Sequence, residues 1–180
     1  MEMGRVTAVS KNAEHSFSKH IQEGIQLLKG LGVKGDAHCG ETVKHRSRIA
    51  KNPNQPNLRQ VHLIHEELFH ELNNRFHINP GELGENITTK GIELLMLPVD
   101  TVLEIGENAK VQLTGLRNPC KQIDHYQDGL MEAVLDKDES GHVIRKAGVM
   151  GIVLEGGMVS PGDSIKVVLP DEPHLKLDKI

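Results

Sequence analysis

The 180-residue chain contains no tryptophan, one tyrosine and three phenylalanines. Proteins that bind single-stranded nucleic acids use aromatic rings as stacking platforms, so this scarcity argues against that class of partner. The charge agrees, because 21 lysines and arginines are outweighed by 25 aspartates and glutamates. Nucleic-acid and anionic membrane surfaces attract basic proteins. We therefore expect neither a nucleic-acid partner nor a membrane partner.

Cysteine and long apolar runs are also scarce. The two cysteines, Cys39 and Cys120, are too few for a disulfide framework. No apolar run is long enough to cross a bilayer, and the N-terminal residues lack the apolar core of a signal peptide. These absences predict a protein of the reducing cytoplasm, and the length suits one domain with a sizeable core.

Short strands dominate the patterns that are present. Alternating or β-rich stretches occur at residues 5–10, 101–105, 110–114, 148–154 and 164–169, and a turn-forming stretch, residues 156–163, joins the last two. Helical spacing of apolar residues is found over residues 61–72 and, more weakly, over residues 128–135. We therefore predict a mainly β fold, a barrel or rolled sheet with one or two helices.

Two segments are expected to lie outside this framework. Residues 44–58 are polar and basic, which is typical of an exposed loop or insertion. Residues 171–180 read as a poorly anchored C-terminal tail that follows a single domain of residues 1–170.

The motif with the most chemical content is Arg-Asn-Pro-Cys at residues 117–120, just after the predicted strand 110–114. It places Cys120 between the cations Arg117 and Lys121 in sequence. Neighbouring cations favour the thiolate, which is both the nucleophile and the soft metal ligand. The competing interpretation is a small, inert apolar residue at the end of a strand.

Two familiar motifs are matched only in part. Residues 30–35 fit G-x-G-x-x-G but continue into Asp-Ala-His-Cys-Gly rather than a helix, so tight turns and close backbone approach are favoured over a dinucleotide site. In residues 62–70, Phe69 stands where a zinc protease motif anchored on His65 needs its second histidine.

A cluster of ligand-type side chains follows the glycines. Asp36, His38, Cys39 and His45 are all acceptable zinc ligands, although their spacing matches no closed structural site. A non-catalytic module that binds a metal or a small anion through Asp36, His38 and Cys39 is therefore one hypothesis. The other is that Asp36 and His38 form hydrogen bonds around a polar ligand.

Further donors for such a ligand are spread along the chain. Residues 80–87 combine glycines with Glu85 and Asn86, and could offer backbone amides and a side-chain amide to a ligand with many acceptors. Arg59, Arg117 and Arg145 would form an anion site if the fold brought them together.

These pieces, in this order, resemble the MOSC family, the domain named after the C-terminal part of molybdenum cofactor sulfurase. The resemblance covers about residues 6–168, and its matching segments are residues 32–38, 59–61, 80–87, 117–120 and 148–151, with Gly156 and residues 161–163. The Gly-Glu-Asn and Pro-Cys elements at this separation are the most specific part of the match.

The resemblance implies a closed β-barrel related to the small barrel domain of pyruvate kinase. It also implies that Cys120 ligates molybdenum of the molybdenum cofactor (molybdopterin) or carries sulfur as a persulfide. The family includes reductases of N-hydroxylated compounds, and its members are proposed to receive sulfur from pyridoxal-phosphate-dependent cysteine desulfurases. The candidate cofactor-binding residues are then Asp36, His38, Arg59, Glu85, Asn86, Arg117, Asn118 and Arg145.

The sequence departs from the shorter reductase-type members in its loop of residues 39–57, which is longer and more basic. Their substrate pocket therefore cannot be carried over. No fused ferredoxin-like or desulfurase segment is present in the 180 residues, so we expect a cysteine desulfurase or an electron-transfer protein as a separate partner.

Overall fold

The computed structural model describes residues 3–42 and 55–180. Within these ranges the chain forms three α-helices, α1 (Glu66–Leu72), α2 (Gln122–Tyr126) and α3 (Leu130–Ala133), and one turn of 3-10 helix, Leu94–Met96. Thirteen β-strands make up most of the rest: β1 (Met3–Lys11), β2 (His20–Gln22), β3 (Ile25–Leu28), β4 (Gly32–Val33), β5 (Val61–His65), β6 (Ile87–Lys90), β7 (Val102–Ile105), β8 (Ala109–Leu116), β9 (Leu135–Lys137), β10 (Val143–Arg145), β11 (Val149–Glu155), β12 (Gly157–Val159) and β13 (Ser164–Val168).

Seven of the strands close into a barrel. Its strand order is β13-β7-β8-β11-β5-β6-β1, and β1 pairs with β13 to complete the ring. All neighbouring strands are antiparallel except β5 and β6, which run parallel. The predicted mainly β, closed-barrel fold is thus confirmed, with three short α-helices where one or two were expected.

Alternation of side chains explains the barrel interior. Along β8, Ala109, Val111, Leu113 and Gly115 are buried, while the residue that follows each of them is partly exposed. Inward-facing residues of the other strands complete a core that includes Val6, Leu63, Leu103, Val111 and Ile165, each at most 1% exposed. A strand with one buried face shows this period of two.

A second apolar cluster lies beside the barrel. It joins α1 to α2 and α3 through Leu68, Phe69, Ile123, Leu130 and Val134. Leu83, which precedes β6, is also fully buried in this cluster. The loops next to Cys120 therefore rest on a packed base.

The predicted helix over residues 61–72 is wrong in its first half. Residues 61–65 are strand β5, and α1 begins only at Glu66. β5 lies between β11 and β6, and four of its five residues are buried, so it lacks the alternation of a one-sided strand. The apolar residues at helical spacing across this junction combine two different elements.

Two smaller predictions also need correction. The helix expected at residues 128–135 is only α3, and α2 and the β9–β10 hairpin on either side of it were not predicted. The turn-forming stretch 156–163 contains β12, which pairs with β3. At Gly32, an added Cβ would lie 2.7 Å from the Gln60 carbonyl oxygen, which confirms the expected close backbone approach in the glycine-rich segment.

The expected loose C-terminal tail is instead anchored on the barrel. Leu116 N donates a 2.7 Å hydrogen bond to the Asp178 carbonyl, and Ile180 N donates to the Leu116 carbonyl at 3.2 Å. Leu177 is only 7% exposed and packs in the barrel core. The buried Leu177 side chain and the backbone hydrogen bonds of Asp178 and Ile180 supply the anchoring, which the prolines and charges of this segment concealed. The domain boundary at residue 170 stays a prediction.

Most of the predicted exposed loop, residues 44–54 of 44–58, lies outside the described residues, and His45 is among them. Its two ends meet, because Thr42 and Pro56 form an isolated antiparallel bridge.

None of the helices in residues 3–42 and 55–180 has the length and apolar character needed to span a bilayer.

Candidate functional site

A cleft of about 360 Å³ opens where the loops after β1 and β8 meet the loop before β6. Its volume falls within the range of about 300–1,000 Å³ that is typical of small-molecule sites. The described residues that line it are His15, Ser16, Phe17, Lys19, His38, Arg59, His62, Gly84, Asn86, Arg117, Asn118, Cys120, Gln122 and Met150. Three of these are lysine or arginine, three are histidine and none is a carboxylate.

Cys120 reaches this cleft because β8 ends abruptly. Arg117 N still donates to the Gly148 carbonyl of the neighbouring chain segment, at 3.0 Å, and the chain then turns through Pro119. The Cys120 carbonyl accepts a hydrogen bond from Ile123 N and so helps to start α2. The thiol is half-buried, with Sγ 3.7 Å from Gln122 Oε1. Cys120 is therefore reachable from the cleft, unlike an inert core cysteine.

Arg117 forms part of the wall next to Cys120. Its Nη1 donates to the Leu83 carbonyl, and the guanidinium lies 5.5 Å from the centre of the Phe17 ring. Burial lowers the pKa of Arg117, and the charges of Cys120 and Glu85 oppose that shift. An arginine remains charged even when buried, so Arg117 presents a fixed positive charge to the cleft.

Asp36 does not line the cleft but organises it from behind. Its carboxylate is fully buried and is held by Lys19 Nζ at 2.7 and 2.8 Å. It also accepts hydrogen bonds from Asn12 N, His38 N and Asn86 Nδ2 at 3.0, 3.1 and 3.4 Å. Burial alone would raise the pKa of Asp36, but the His38 side chain, whose Nδ1 lies 3.5 Å from Oδ2, and the charge of Lys19 lower it well below its usual range. Asp36 is therefore ionised at neutral pH.

The two groups that flank Asp36 both face the cleft. Lys19 Nζ lies 3.3 Å from His38 Nδ1, and the side chains of Lys19 and His38 are 5% and 30% exposed. Burial lowers the pKa of Lys19, although Asp36 opposes the shift. The His15 ring meets the His38 ring edge to face at 5.6 Å between centroids. The cleft therefore carries an inner amine in contact with a more exposed imidazole.

His62 and Asn86 form the floor. His62 N donates to Asn86 Oδ1 at 3.1 Å, which fixes the amide so that its Nδ2 faces Asp36 and the Ser10 carbonyl. Burial, with the charge of Arg117, places the pKa of His62 well below its usual value. Neutral His62 therefore carries its proton on Nε2, which donates to the Ala147 carbonyl at 2.7 Å.

Glu85 is buried beneath the loop before β6 and does not line the cleft. Its Oε1 accepts a hydrogen bond from Gly81 N, whereas Oε2 has no partner among the described residues. Burial raises the pKa of Glu85 to about 7, against the opposing effects of Gly81 N and Arg117. Glu85 thus acts within the loop, and its contact with a cofactor stays a prediction.

The remaining candidates divide into two groups. Arg59 and Asn118 line the cleft with Arg117, but Arg145 does not. Arg145 lies on the β9–β10 hairpin and its Nε donates to Asn118 Oδ1 at 3.1 Å. The three arginines therefore do not converge on one point, and Arg145 contacts the cleft only through Asn118.

The alternative metal module finds no support in the described part of the chain. Within residues 3–42 and 55–180, no three His, Cys, Asp or Glu side chains are placed to hold a metal ion. The Asp36 carboxylate is committed to Lys19. Cys39 lies outside the cleft lining, and its backbone N donates to the Asp36 carbonyl at 3.2 Å.

Several lining residues were not anticipated from the sequence: His15, Ser16, Phe17, Lys19, His62, Gln122 and Met150. Four of them belong to the loop between β1 and β2, a stretch that matches no motif. His62 was assigned to a helix, whereas it lies in β5 and its backbone N donates to Asn86 Oδ1. The register of β5 against β11, which pairs His62 with Met150, was the missing information.

Comparison with known proteins gives a consistent result. The MOSC domain family model matches residues 36–166. The fold is similar to that of the YuaD protein of Bacillus subtilis, with a TM-score of 0.76 and 21% identity over 94% of this chain and 97% of that chain. It is also similar to YiiM of Escherichia coli, with a TM-score of 0.61 and 18% identity over 95% and 73% of the two chains. No curated protein sequence matches the chain.

Proposed function

Because the chain belongs to the MOSC domain family, which is associated with molybdenum cofactor binding, we propose that its cleft binds the molybdenum cofactor and that Cys120 is the metal's protein ligand. The observation that carries the proposal is the composition of the cleft. A half-buried thiol shares it with Lys19, Arg59 and Arg117, and no carboxylate of the described residues lines it. Such a lining favours an anionic ligand that contains a soft metal.

The donor set fits such a cofactor. The Cys120 thiolate would hold the metal, and the guanidinium groups of Arg59 and Arg117 would meet the anionic group of the cofactor. The Asn86 and Asn118 side chains and the backbone around Gly84 offer further polar contacts. When bound, the cofactor supplies a metal that exchanges electrons and oxygen atoms with a substrate. N-hydroxylated compounds are the proposed substrate class.

Sulfur transport is the second candidate function, and the exposure of Cys120 favours it. The thiol is half-buried rather than sealed in the core, so a persulfide formed on it could be approached by another protein. Each function implies a different partner. A sulfur carrier would receive sulfur from a cysteine desulfurase, whereas a reductase would receive electrons from an electron-transfer protein.

Elemental analysis distinguishes the two functions. The protein would be purified from a host that makes the cofactor, and molybdenum would be measured per chain beside sulfane sulfur released by cyanide. We expect molybdenum near one atom per chain in the wild type and almost none in C120A. Sulfane sulfur without molybdenum would support the carrier instead.

C39A is the matched control, since Cys39 is the second half-buried cysteine and does not line the cleft. It should retain the molybdenum of the wild type. Thermal unfolding of both variants tests that the barrel is intact. Full molybdenum and full sulfane sulfur in a folded C120A protein would refute both functions.

A further inference from the structure

Lys19 and His38 bring two titratable nitrogen atoms into direct contact in the cleft. Lys19 Nζ and His38 Nδ1 are 3.3 Å apart, within hydrogen-bond distance. Both side chains line the cleft that contains Cys120. Lys19 belongs to no recognisable sequence motif.

The environment of the pair fixes which atoms carry protons at rest. Asp36 accepts two hydrogen bonds from Lys19 and is ionised, so Lys19 is an ammonium. An ammonium can only donate, and His38 Nδ1 lies nearer to Lys19 Nζ (3.3 Å) than to Asp36 Oδ2 (3.5 Å), so we assign Nδ1 as the acceptor and place the ring proton on Nε2. The resting pair is therefore a Lys19 ammonium that donates to the Nε2–H tautomer of His38.

We infer that Lys19 and His38 form a proton-exchanging pair, in which Lys19 delivers protons to a ligand bound at Cys120 and His38 reloads Lys19 from solvent. Protons are expected to enter through His38 because its side chain is 30% exposed to solvent, whereas the Lys19 side chain is only 5% exposed. The inference rests on the proposed function only for the identity of the final proton acceptor.

The proton balance of one cycle is complete. The Lys19 ammonium gives one proton to the ligand and becomes an amine, which can accept from Nδ1–H, so His38 changes to the Nδ1–H tautomer. Protonation of His38 at Nε2, the nitrogen that Lys19 does not contact, then releases the Nδ1 proton to Lys19. One solvent proton is consumed, and the resting state is restored.

The charges around the pair make this exchange feasible. Lys19 faces Asp36, Arg117 and Glu85, and burial outweighs the carboxylates so that the pKa of Lys19 is lowered. His38 faces Asp36 and the His15 ring besides Lys19. A buried lysine whose ammonium is destabilised is a better proton donor than a solvated one, and general acids of this kind accelerate reactions by about 10²–10⁴-fold.

A proton-delivering pair favours reduction over sulfur transport as the chemistry of the cleft. Conversion of an N-hydroxylated compound to the amine and water consumes two protons with two electrons, which a separate flavin- or haem-containing electron carrier would supply. Transfer of sulfane sulfur from one thiolate to another consumes no proton. The pair therefore gives the reductive branch of the proposed function a structural basis.

The pair can be tested without any metal. Nitrogen-15 NMR of the histidine ring, assigned with H38Q, reports the tautomer of His38 between pH 7 and 11. We expect Nε2–H near neutral pH and a change to Nδ1–H as Lys19 loses its proton. K19R is the decisive control, because arginine keeps the charge but does not deprotonate in this range. His38 should remain Nε2–H throughout in K19R.

The proposed proton exchange between Lys19 and His38 would be refuted if wild-type His38 is Nδ1–H at neutral pH, or if the tautomer change persists in K19R. Delivery is tested with molybdenum-loaded protein, reduced viologen and an N-hydroxylated amidine. K19R should keep its molybdenum and lose at least 100-fold in rate, and a rate within threefold of wild type would overturn delivery. Absence of molybdenum from the wild type would instead refute the proposed function. The NMR measurement of the His38 tautomer would still test whether Lys19 and His38 exchange a proton.

Discussion

Replacement of Asp36 by asparagine is the sharpest test of how the cleft is organised. The change keeps the size of the side chain and leaves Oδ1 able to accept from Asn12 N, but it removes the charge that Lys19 contacts at 2.7 Å. It also replaces Oδ2, the acceptor for His38 N, by an amide nitrogen. Both partners are buried, with side-chain exposures of 5% and 0%. D36N therefore leaves an ammonium without its counter-charge in the interior.

The expected loss of stability follows from this burial. Breaking a buried ion pair by removal of one partner costs about 3–5 kcal/mol, because the remaining charge is desolvated and uncompensated. For a domain of this size, each kcal/mol lowers the melting temperature by about 2–4 °C, so D36N should melt about 6–20 °C below the wild type. Denaturant unfolding monitored by circular dichroism measures the free energy directly.

Two controls separate the charge from other effects. K19M/D36N has no charge at either position of the pair, and the two substitutions should couple by about 1–3 kcal/mol, so the double variant is more stable than the sum of the single variants predicts. E104Q removes an exposed ion pair in which Lys166 Nζ lies 3.9 Å from Oε1, and should change the stability by no more than about 0.5 kcal/mol. A D36N loss similar to that of E104Q, or strict additivity in the double variant, would refute the reasoning.

Three further predictions concern other parts of the molecule. The pKa of Glu85 is raised from 4.5 to about 7, so the folded state binds the extra proton and stability should fall by about 3 kcal/mol as pH rises through this window. E85Q is neutral at every pH, and an unchanged pH dependence of its unfolding free energy would contradict the assignment. Gly84 has φ +90° and an added Cβ would lie 2.7 Å from the Phe17 carbonyl, whereas Gly141 has φ +84° and open space around it. G84A should therefore be less stable than the control G141A and should alter the fluorescence of Tyr126, the single tyrosine in a chain without tryptophan, which stacks on Phe17. Equal effects of the two substitutions would argue against the contact. Leu177 is 7% exposed in the barrel core, so L177A should cost about 2–5 kcal/mol, whereas L175A, at a residue 64% exposed, should cost little. If L177A leaves the free energy of unfolding unchanged, the C-terminal segment is not anchored on the barrel through Leu177.

The fold was largely predictable because most barrel strands bury one face. Alternation along β1, β7, β8 and β13 is visible in the sequence, and each of these strands lies where it was expected. β5 was wrongly predicted as part of a helix for the opposite reason. It is buried on both faces, so its sequence lacks alternation and merges with the helix that follows.

The site was predictable only where it is built from turns. Cys120, Arg117 and Asn86 belong to short motifs with glycine, proline or asparagine, and all three line the cleft. Lys19 has no such context. Its importance comes from Asp36, which is 17 residues away in sequence, and from burial, which composition does not reveal. Residues whose role depends on a distant partner need the tertiary structure to be found.

The closure of the barrel has a consequence for how the molecule folds. The closing contact pairs β1 with β13, so that Met3 lies opposite Lys166, and the ring cannot form during synthesis until almost all of the described chain has been made. Such long-range pairing slows folding and prolongs the exposure of unpaired strand edges. The loop after β1 carries His15, Phe17 and Lys19 on one end of this late-closing strand. We therefore expect cofactor binding to become possible only at the final stage of folding. A chain in which β1 has not yet paired with β13 should be unable to bind the cofactor.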